Sequence, residues 1–167
     1  MRTPFLLVAV ALSAACSPSR EVPATGLQPV KWEAFAGEIR KASDSSSVLD
    51  IELRATIEDK WHVYSLTQSG NGPTPMSVEA IPTPPYQLAD AVTGPAPVKA
   101  MDREFGFETE TYAGQSVFHV PVKFPTGDYS SAKLLKLKVR SQACSDKLCL
   151  PARTTTVAIA SQAWFPQ

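Results

Sequence analysis

The stretch VLDIELRATIE, residues 48–58, decides the fold that this sequence predicts. Apolar and polar residues alternate strictly along it, with Leu49, Ile51, Leu53, Ala55 and Ile57 in one set and Asp50, Glu52, Arg54, Thr56 and Glu58 in the other. Because successive side chains of a β-strand point to opposite faces of the sheet, this pattern predicts a strand with one buried face.

The same alternation returns in four short runs farther along the chain. These runs are residues 76–80, 117–124, 135–139 and 155–159. Fifteen prolines scattered through 167 residues disfavour long helices. Several short strands separated by turn residues predict an all-β chain folded as a β-sandwich. Residues 101–112 fit neither the strand period nor the helix period, and we predict a loop that carries aromatic side chains.

Composition and charge limit the classes of function. With 44% hydrophobic residues, the chain can build one domain with a real core. Sixteen basic residues balance sixteen acidic ones, and no basic block or stripe interrupts the sequence. Nucleic acid is therefore not an expected partner, because its recognition needs a clustered positive surface.

The N-terminus predicts export. Arg2, the apolar run at residues 5–12 and the small residues 13–15 have the form of a signal peptide, which we place at residues 1–15. The apolar run is too short to span a bilayer, which takes about 20 residues. Cys16 follows the small residues as in the lipobox of bacterial lipoproteins, although ordinary signal-peptidase cleavage beside it is the alternative.

A lipidated Cys16 would anchor the mature protein to a membrane, and the following Ser17 favours the outer membrane. Proline, glycine and polar residues then predict a flexible tether over residues 16–30. The remaining residues, 31–167, are the predicted folded domain.

The stretch CSDKLCLP, residues 144–151, carries the candidate chemistry. Apart from Cys16, the chain has only Cys144 and Cys149, which is the number needed for one bridge in an oxidising compartment. That bridge can be a structural staple, a redox pair or part of a zinc site, and the residues alone leave these alternatives open. Lys147 inside the loop would favour a thiolate, whereas Asp146 would oppose it.

Five segments in order resemble one known family. They are residues 59–64 (DKWHVY), 102–106 (DREFG), Tyr112, 120–122 (VPV) and, above all, 142–151 (QACSDKLCLP). Together they make the chain, from about residue 48 to residue 159, similar to the N-terminal periplasmic domain of the thiol:disulfide interchange protein DsbD.

This resemblance implies an immunoglobulin-like β-sandwich that works without a cofactor or metal. It implies a disulfide between Cys144 and Cys149 that relays electrons from a membrane-embedded thiol reductase to thioredoxin-like periplasmic proteins, in processes such as cytochrome c maturation. Cys149 would be the nucleophile and Cys144 the resolving thiol, so the chain would act as a thiol-disulfide oxidoreductase of the protein-disulfide reductase type. The alternative is a non-catalytic sandwich lipoprotein whose disulfide is structural and whose loops bind a protein or ligand.

The resemblance also implies a cap loop in which Phe105 shields the disulfide until a partner displaces it. The other cap positions are Asp102, Glu104 and Gly106. Tyr64 matches an aromatic beside the cysteines, and His62 stands where the family can carry a tyrosine; a plain strand role is the alternative for both.

The chain departs from the family pattern at several places. Arg103 stands where the family can carry Asp, Ser141 replaces a common aromatic, and the loop between the cysteines can be longer in the family. DsbD continues into membrane and thioredoxin-like domains, whereas this sequence ends at Gln167, so we expect a reductant supplied in trans.

Overall fold

The computed structural model describes residues 26–42, 44–70, 72–81, 86–125 and 135–160. Within these ranges the chain forms eleven β-strands and no helix. The strands are β1 Val30–Lys41, β2 Ser46–Ile57, β3 Trp61–Tyr64, β4 Ser77–Ile81, β5 Gln87–Leu88, β6 Val98–Asp102, β7 Phe107–Tyr112, β8 Gln115–Pro125, β9 Lys136–Ser141, β10 Ala143–Ser145 and β11 Arg153–Ala160. No described helix could cross a membrane.

The strands form two sheets, which confirms the predicted immunoglobulin-like β-sandwich. The larger sheet has the order β4-β9-β11-β1-β2-β8-β5, and the smaller has the order β10-β3-β7-β6. All pairs are antiparallel except β1 with β11. The smaller sheet contains both the cysteine region and the predicted cap loop.

Strand β2 confirms the prediction made from residues 48–58. Leu49, Ile51 and Leu53 are completely buried, while the polar residues between them face outward. The strand pairs with β1 on one side and with β8 along nearly its whole length on the other. It therefore lies inside the larger sheet.

Aromatic residues join the two sheets across the core. Phe118 of β8 meets Tyr112 of β7 edge to face, with ring centroids 4.9 Å apart, and lies 6.1 Å from Trp32 of β1. All three side chains belong to one hydrophobic cluster that takes residues from both sheets. The small sheet is thus fixed on the large one by β7.

Two features differ from the sequence prediction. The loop predicted for residues 101–112 is wrong, because β6 and β7 form a hairpin whose turn covers only residues 103–106. Strand β6 lies at a sheet edge with Val98–Met101 exposed, so its residues need not alternate. Strand β1 was not predicted, and a bulge between Ala36 and Ile39 breaks its alternation.

Several predictions concern residues outside the described ranges. They are the signal peptide at 1–15, the lipidated Cys16 and most of the tether at 16–30. These assignments stay predictions. Residues 26–29 precede β1 without regular structure.

Candidate redox site

The site is built on a short loop at the edge of the smaller sheet. Cys144 and Cys149 form a disulfide that closes this segment, and their Cα atoms are 4.1 Å apart. We call residues 144–149 the cysteine loop. Its first residues form β10, which pairs with β3 so that Cys144 lies opposite His62.

Backbone hydrogen bonds hold the cysteine loop as a compact turn. The Ser145 amide donates to the Leu148 carbonyl over 2.9 Å, and the Leu150 amide donates to the Ala143 carbonyl over 2.9 Å. The chain thus reverses direction between the two cysteines and leaves toward β11. The loop itself projects from the sheet edge, with Asp146, Lys147 and Leu148 exposed.

The two sulfur-bearing residues differ sharply in burial. Cys144 is 1% exposed, whereas Cys149 is only partly buried. Cys144 lies within a paired strand, while Cys149 makes only an isolated bridge to it at the end of the loop. An incoming thiol or disulfide would therefore meet Cys149 first.

An open cavity of about 490 Å³ lies in front of the disulfide. The cysteine loop forms one wall, and residues 98–112, which we call the cap hairpin, form the other. The lining residues are His62, Tyr64, Ala100, Met101, Asp102, Arg103, Glu104, Thr109, Thr111, Cys144, Ser145, Asp146 and Cys149. The structure therefore brings most of the sequence-predicted site residues together.

Asp102 fixes the turn of the cap hairpin and ties it to β3. Its Oδ1 accepts hydrogen bonds from the amides of Glu104 (2.9 Å) and Phe105 (3.3 Å). Its carbonyl accepts from the amide of Gly106, whose φ of 74° is a conformation that glycine adopts without strain. Its Oδ2 accepts a 2.9 Å hydrogen bond from the Tyr64 hydroxyl.

Phe105 lies beside the cavity, packed on other aromatic residues. Its ring meets Tyr64 edge to face at 5.9 Å and lies 6.2 Å from the ring of Phe107. Gly72 leaves room for these two rings, because a Cβ at that position would lie only 2.5 Å from Phe107 Cζ and 3.3 Å from Phe105 Cδ1. Phe105 is not among the residues that line the cavity, and its role as a gate stays a prediction.

His62 and Tyr64 form the floor of the cavity. Their rings meet edge to face at 5.3 Å, and His62 Nε2 lies 3.5 Å from the Tyr64 hydroxyl. Burial lowers the pKa of His62 against the opposing effect of Asp102 and Asp146. Burial, together with the hydrogen bond to Asp102, raises the pKa of Tyr64. At neutral pH the imidazole is therefore neutral and the phenol protonated.

The two charged residues of the cysteine loop have different positions. Asp146 lines the cavity, whereas Lys147 lies outside its lining. The Lys147 amide is 3.4 Å from the Ser145 hydroxyl that accepts its proton. Of the two charges, the structure thus places only that of Asp146 at the cavity.

Sequence reasoning missed the wall that β6 and β7 contribute. Ala100, Met101, Thr109 and Thr111 line the cavity but were placed in or near an irregular loop. The buried positions of β7 are Thr109 and Tyr112, which are three residues apart. The sequence of β7 therefore lacks the two-residue alternation by which a strand is recognised. Among the described residues, no three His, Cys, Asp or Glu side chains are grouped as metal ligands would be.

Comparison with known proteins gives two findings. The model of the family "Thiol:disulfide interchange protein DsbD, N-terminal" matches residues 30–161 of the chain. Among solved structures, the chain is similar to the N-terminal domain of DsbD from Neisseria meningitidis in its reduced form, with a TM-score of 0.49 and 18% sequence identity, over 80% of this chain and 90% of that one. A comparison with curated protein sequences finds no match.

Proposed function

Since the chain belongs to the DsbD N-terminal family of thiol:disulfide interchange domains, we propose that its Cys144–Cys149 pair relays electrons from a membrane-embedded thiol reductase to thioredoxin-like proteins of the periplasm. The proposal extends the interchange chemistry of the family to specific partners and to a direction of flow. Cys149 serves as the nucleophile and Cys144 as the resolving thiol.

The observation that carries the proposal is the unequal burial of the two cysteines. Thiol-disulfide exchange requires a thiolate that a partner's sulfur can approach. Both cysteines line the cavity, but Cys149 is partly exposed at the end of the loop, whereas Cys144 is buried within β10. One sulfur can therefore bond to a partner while the other stays within reach of that bond.

The reaction proceeds through a mixed disulfide. In the reduced domain, the Cys149 thiolate attacks the partner's disulfide, forms one S–S bond and releases the partner's second sulfur as a thiolate. Cys144 then loses its proton and attacks the Cys149 sulfur, which frees the partner's first sulfur. The partner gains two electrons and two protons, and the domain is left with the Cys144–Cys149 disulfide. A dithiol of the membrane reductase returns the domain to the reduced state.

The location proposed for this chemistry is the periplasm, where the family works, with a lipid on Cys16 as the anchor. An anchored domain explores a thin layer near the membrane, which raises its effective concentration toward a membrane reductase. Met101, which lines the cavity, and Leu148, in the cysteine loop, are both exposed and give a partner apolar surface to contact. Phe105 would control entry by moving with the cap hairpin.

Trapping with single-cysteine variants tests the proposal. C144S should accumulate a mixed disulfide with a thioredoxin-like protein, because Cys149 attacks and nothing resolves the product. C149S is the matched control and should form little of it, because Cys144 is buried. Equal trapping by the two variants would contradict the assigned roles.

The reduction potential of the wild-type pair separates a redox site from a structural bridge. Structural disulfides have potentials below about −300 mV. We expect a higher potential and exchange with a thioredoxin-like protein. A potential below that range together with no exchange would leave the alternative, a sandwich whose disulfide only stabilises the fold.

A further inference from the structure

We propose that His62 is the base that takes the proton from the Cys144 thiol during the resolving step. This inference deepens the function proposed above and rests on it. It concerns a residue for which the chain departs from the tyrosine that the family can carry. Three observations support it: the burial of Cys144, the position of His62 opposite it, and the hydrogen-bond partners of the neighbouring groups.

Cys144 needs a base within the protein. It is 1% exposed, and burial in apolar surroundings disfavours a thiolate. Water therefore has little access to its proton when the thiol must attack the Cys149 sulfur. The group that accepts the proton must lie beside Cys144.

His62 is in that place. It is the direct partner of Cys144 in the pairing of β3 with β10, and both residues line the same cavity. Directly opposed residues of an antiparallel pair have Cβ atoms about 4.5–5.5 Å apart on the same face. An imidazole is long enough to reach across that separation to the sulfur.

The other ionisable groups around the cavity are less suited to the task. These are Tyr64, Asp102, Arg103, Glu104 and Asp146, while β7 contributes only Thr109 and Thr111. Tyr64 donates its hydroxyl proton to Asp102, and the guanidinium of Arg103 has no acceptor atom. Both oxygens of Asp102 already accept hydrogen bonds. Glu104 and Asp146 are exposed carboxylates, and a carboxylate is in general a weaker base than an imidazole.

The neighbours of His62 also select its tautomer. The Tyr64 hydroxyl gives its proton to Asp102, so toward His62 Nε2, 3.5 Å away, it presents a lone pair. The Nε2–H form fits this arrangement and leaves Nδ1 as the basic nitrogen. Burial keeps the ring neutral, and only a neutral ring can accept a proton.

The resolving step then balances as follows. The Cys144 S–H bond breaks, its proton moves to His62, and the sulfur's electron pair forms the bond to the Cys149 sulfur. The bond between Cys149 and the partner breaks, with its electron pair on the partner's sulfur. His62 returns its proton to that departing thiolate. In the reverse direction, protonated His62 supplies the proton that Cys144 takes up on reduction.

A chromogenic disulfide isolates this step. One equivalent of dithiobis(nitrobenzoate) reacts with the reduced protein in two phases, each of which releases a coloured thiolate. The first phase is second-order and reports attack by Cys149. The second is first-order and reports attack by Cys144 on the Cys149 mixed disulfide. The leaving thiolate needs no proton, so the second phase depends on removal of the Cys144 proton.

We expect H62Q to slow the first-order phase about 100-fold at neutral pH, the lower end of what a general base contributes. H62Y keeps the ring packing on Tyr64 but offers no base, and should show the same loss. H119Q is the matched control, since His119 is the chain's other histidine and lies exposed on β8 of the larger sheet. It should leave both phases unchanged.

The pH profile gives a readout that a structural role would not move. As pH rises, the wild-type first-order rate should increase with the deprotonation of His62, whose pKa is lowered from the usual 6.5 of histidine, and should then level off. In H62Q the first-order rate should lack that step and should rise only with the deprotonation of the Cys144 thiol at higher pH. A wild-type profile without the step would overturn the proposal even if no variant folds. Wild-type rates in both H62Q and H62Y would also overturn it.

The outcome also separates this inference from the function it rests on. Suppose that the wild-type protein releases the coloured thiolate in a His62-dependent way and yet fails to exchange with a thioredoxin-like protein. That result would reject the electron relay but retain His62 as the base. If H62Q changes neither the exchange with the thioredoxin-like protein nor the first-order phase, His62 is rejected as the base and the electron relay is retained.

Discussion

The two sheets of the sandwich differ in length, burial and content. In the larger sheet, β1, β2 and β8 run for 12, 12 and 11 residues, and β2 lies completely within it. In the smaller sheet the longest strand, β7, has six residues, and β6 is an exposed edge. The cavity, the disulfide and the charged cap residues all belong to the smaller sheet.

The difference shows how a small domain can hold a site that contains a partly exposed cysteine. Buried apolar side chains in long paired strands supply most of the free energy of folding. The smaller sheet is joined to them by Tyr112 and Phe118, so its edge strands can present polar groups to solvent. The comparison predicts that changes in the larger sheet affect stability, whereas changes in the smaller one mainly affect exchange.

The largest effect is expected where the two sheets meet. Phe118→Ala should lower the free energy of unfolding by about 3–5 kcal/mol, because it empties a fully buried position. Val117→Ala is the matched control on the same strand; its side chain points outward, and it should cost less than about 0.5 kcal/mol. Urea unfolding measures both free energies, and similar losses in the two variants would contradict the stabilising role assigned to the buried face of the larger sheet.

Reduction of the disulfide should have a smaller effect. The loop it closes is short, and the chain-entropy model gives roughly 2 kcal/mol for its contribution. Urea unfolding with and without a reductant, with the double variant C144S/C149S as the control that no reductant affects, measures it. A loss as large as that of Phe118→Ala would make the disulfide a main support of the fold and weaken the division of roles.

The Tyr64 hydroxyl should contribute less again. Tyr64→Phe removes the hydrogen bond to Asp102 and should cost about 1 kcal/mol. A double-mutant cycle with Asp102→Ala isolates the coupling between the two side chains. We also expect faster reaction of Cys149 with a small disulfide, because the cap hairpin is held less firmly. Additive stability effects would show that the bond does not tie the hairpin to β3.

The smallest effect concerns acid sensitivity, with one carboxylate in the smaller sheet and one in the turn that leads into β2 of the larger sheet. Hydrogen bonds from Lys99, Thr67 and Ser65 lower the pKa of Glu110, on β7, to about 2. A hydrogen bond from Lys123 and another from Ser46 lower the pKa of Asp44, before β2, to about 2.

Because both values are depressed in the folded state, the stability they supply is present above the unfolded pKa values of 4.5 and 3.8 and is lost as pH falls toward about 2. Glu110→Gln and Asp44→Asn should each flatten this acid-dependent loss in urea unfolding. Their effects should add, since the two carboxylates share no hydrogen-bond partner. A curve with wild-type slope in either variant would show that the carboxylate does not gain its partners on folding.

The sequence was most informative where one face of a strand is buried. The alternation at Leu49, Ile51 and Leu53 identified β2, because a strand inside one layer of a sandwich must separate apolar from polar side chains. The resemblance at residues 142–151 also identified the disulfide that the structure contains. Both signals lie in continuous stretches of sequence.

Features set by long-range contacts could not be predicted. The exposed β6 needs no alternation, and the bulge in β1 hides its period. The unequal burial of Cys144 and Cys149 depends on pairing with β3, more than 80 residues earlier in the chain. The three hydrogen bonds to the Asp102 carboxylate likewise combine a local turn with Tyr64, which only the folded chain brings together.

The hydrogen bond between Tyr64 and Asp102 also adds a free-energy cost to the binding of any molecule that must displace the cap hairpin. Any visitor that must lift the cap hairpin gives up that bond, and an opening cost of about 1 kcal/mol weakens its apparent affinity roughly fivefold. A folded protein compensates through the surface it covers around the entrance. A small disulfide such as oxidised glutathione covers less of that surface, so we expect the same opening cost to slow its reaction more than that of a folded protein.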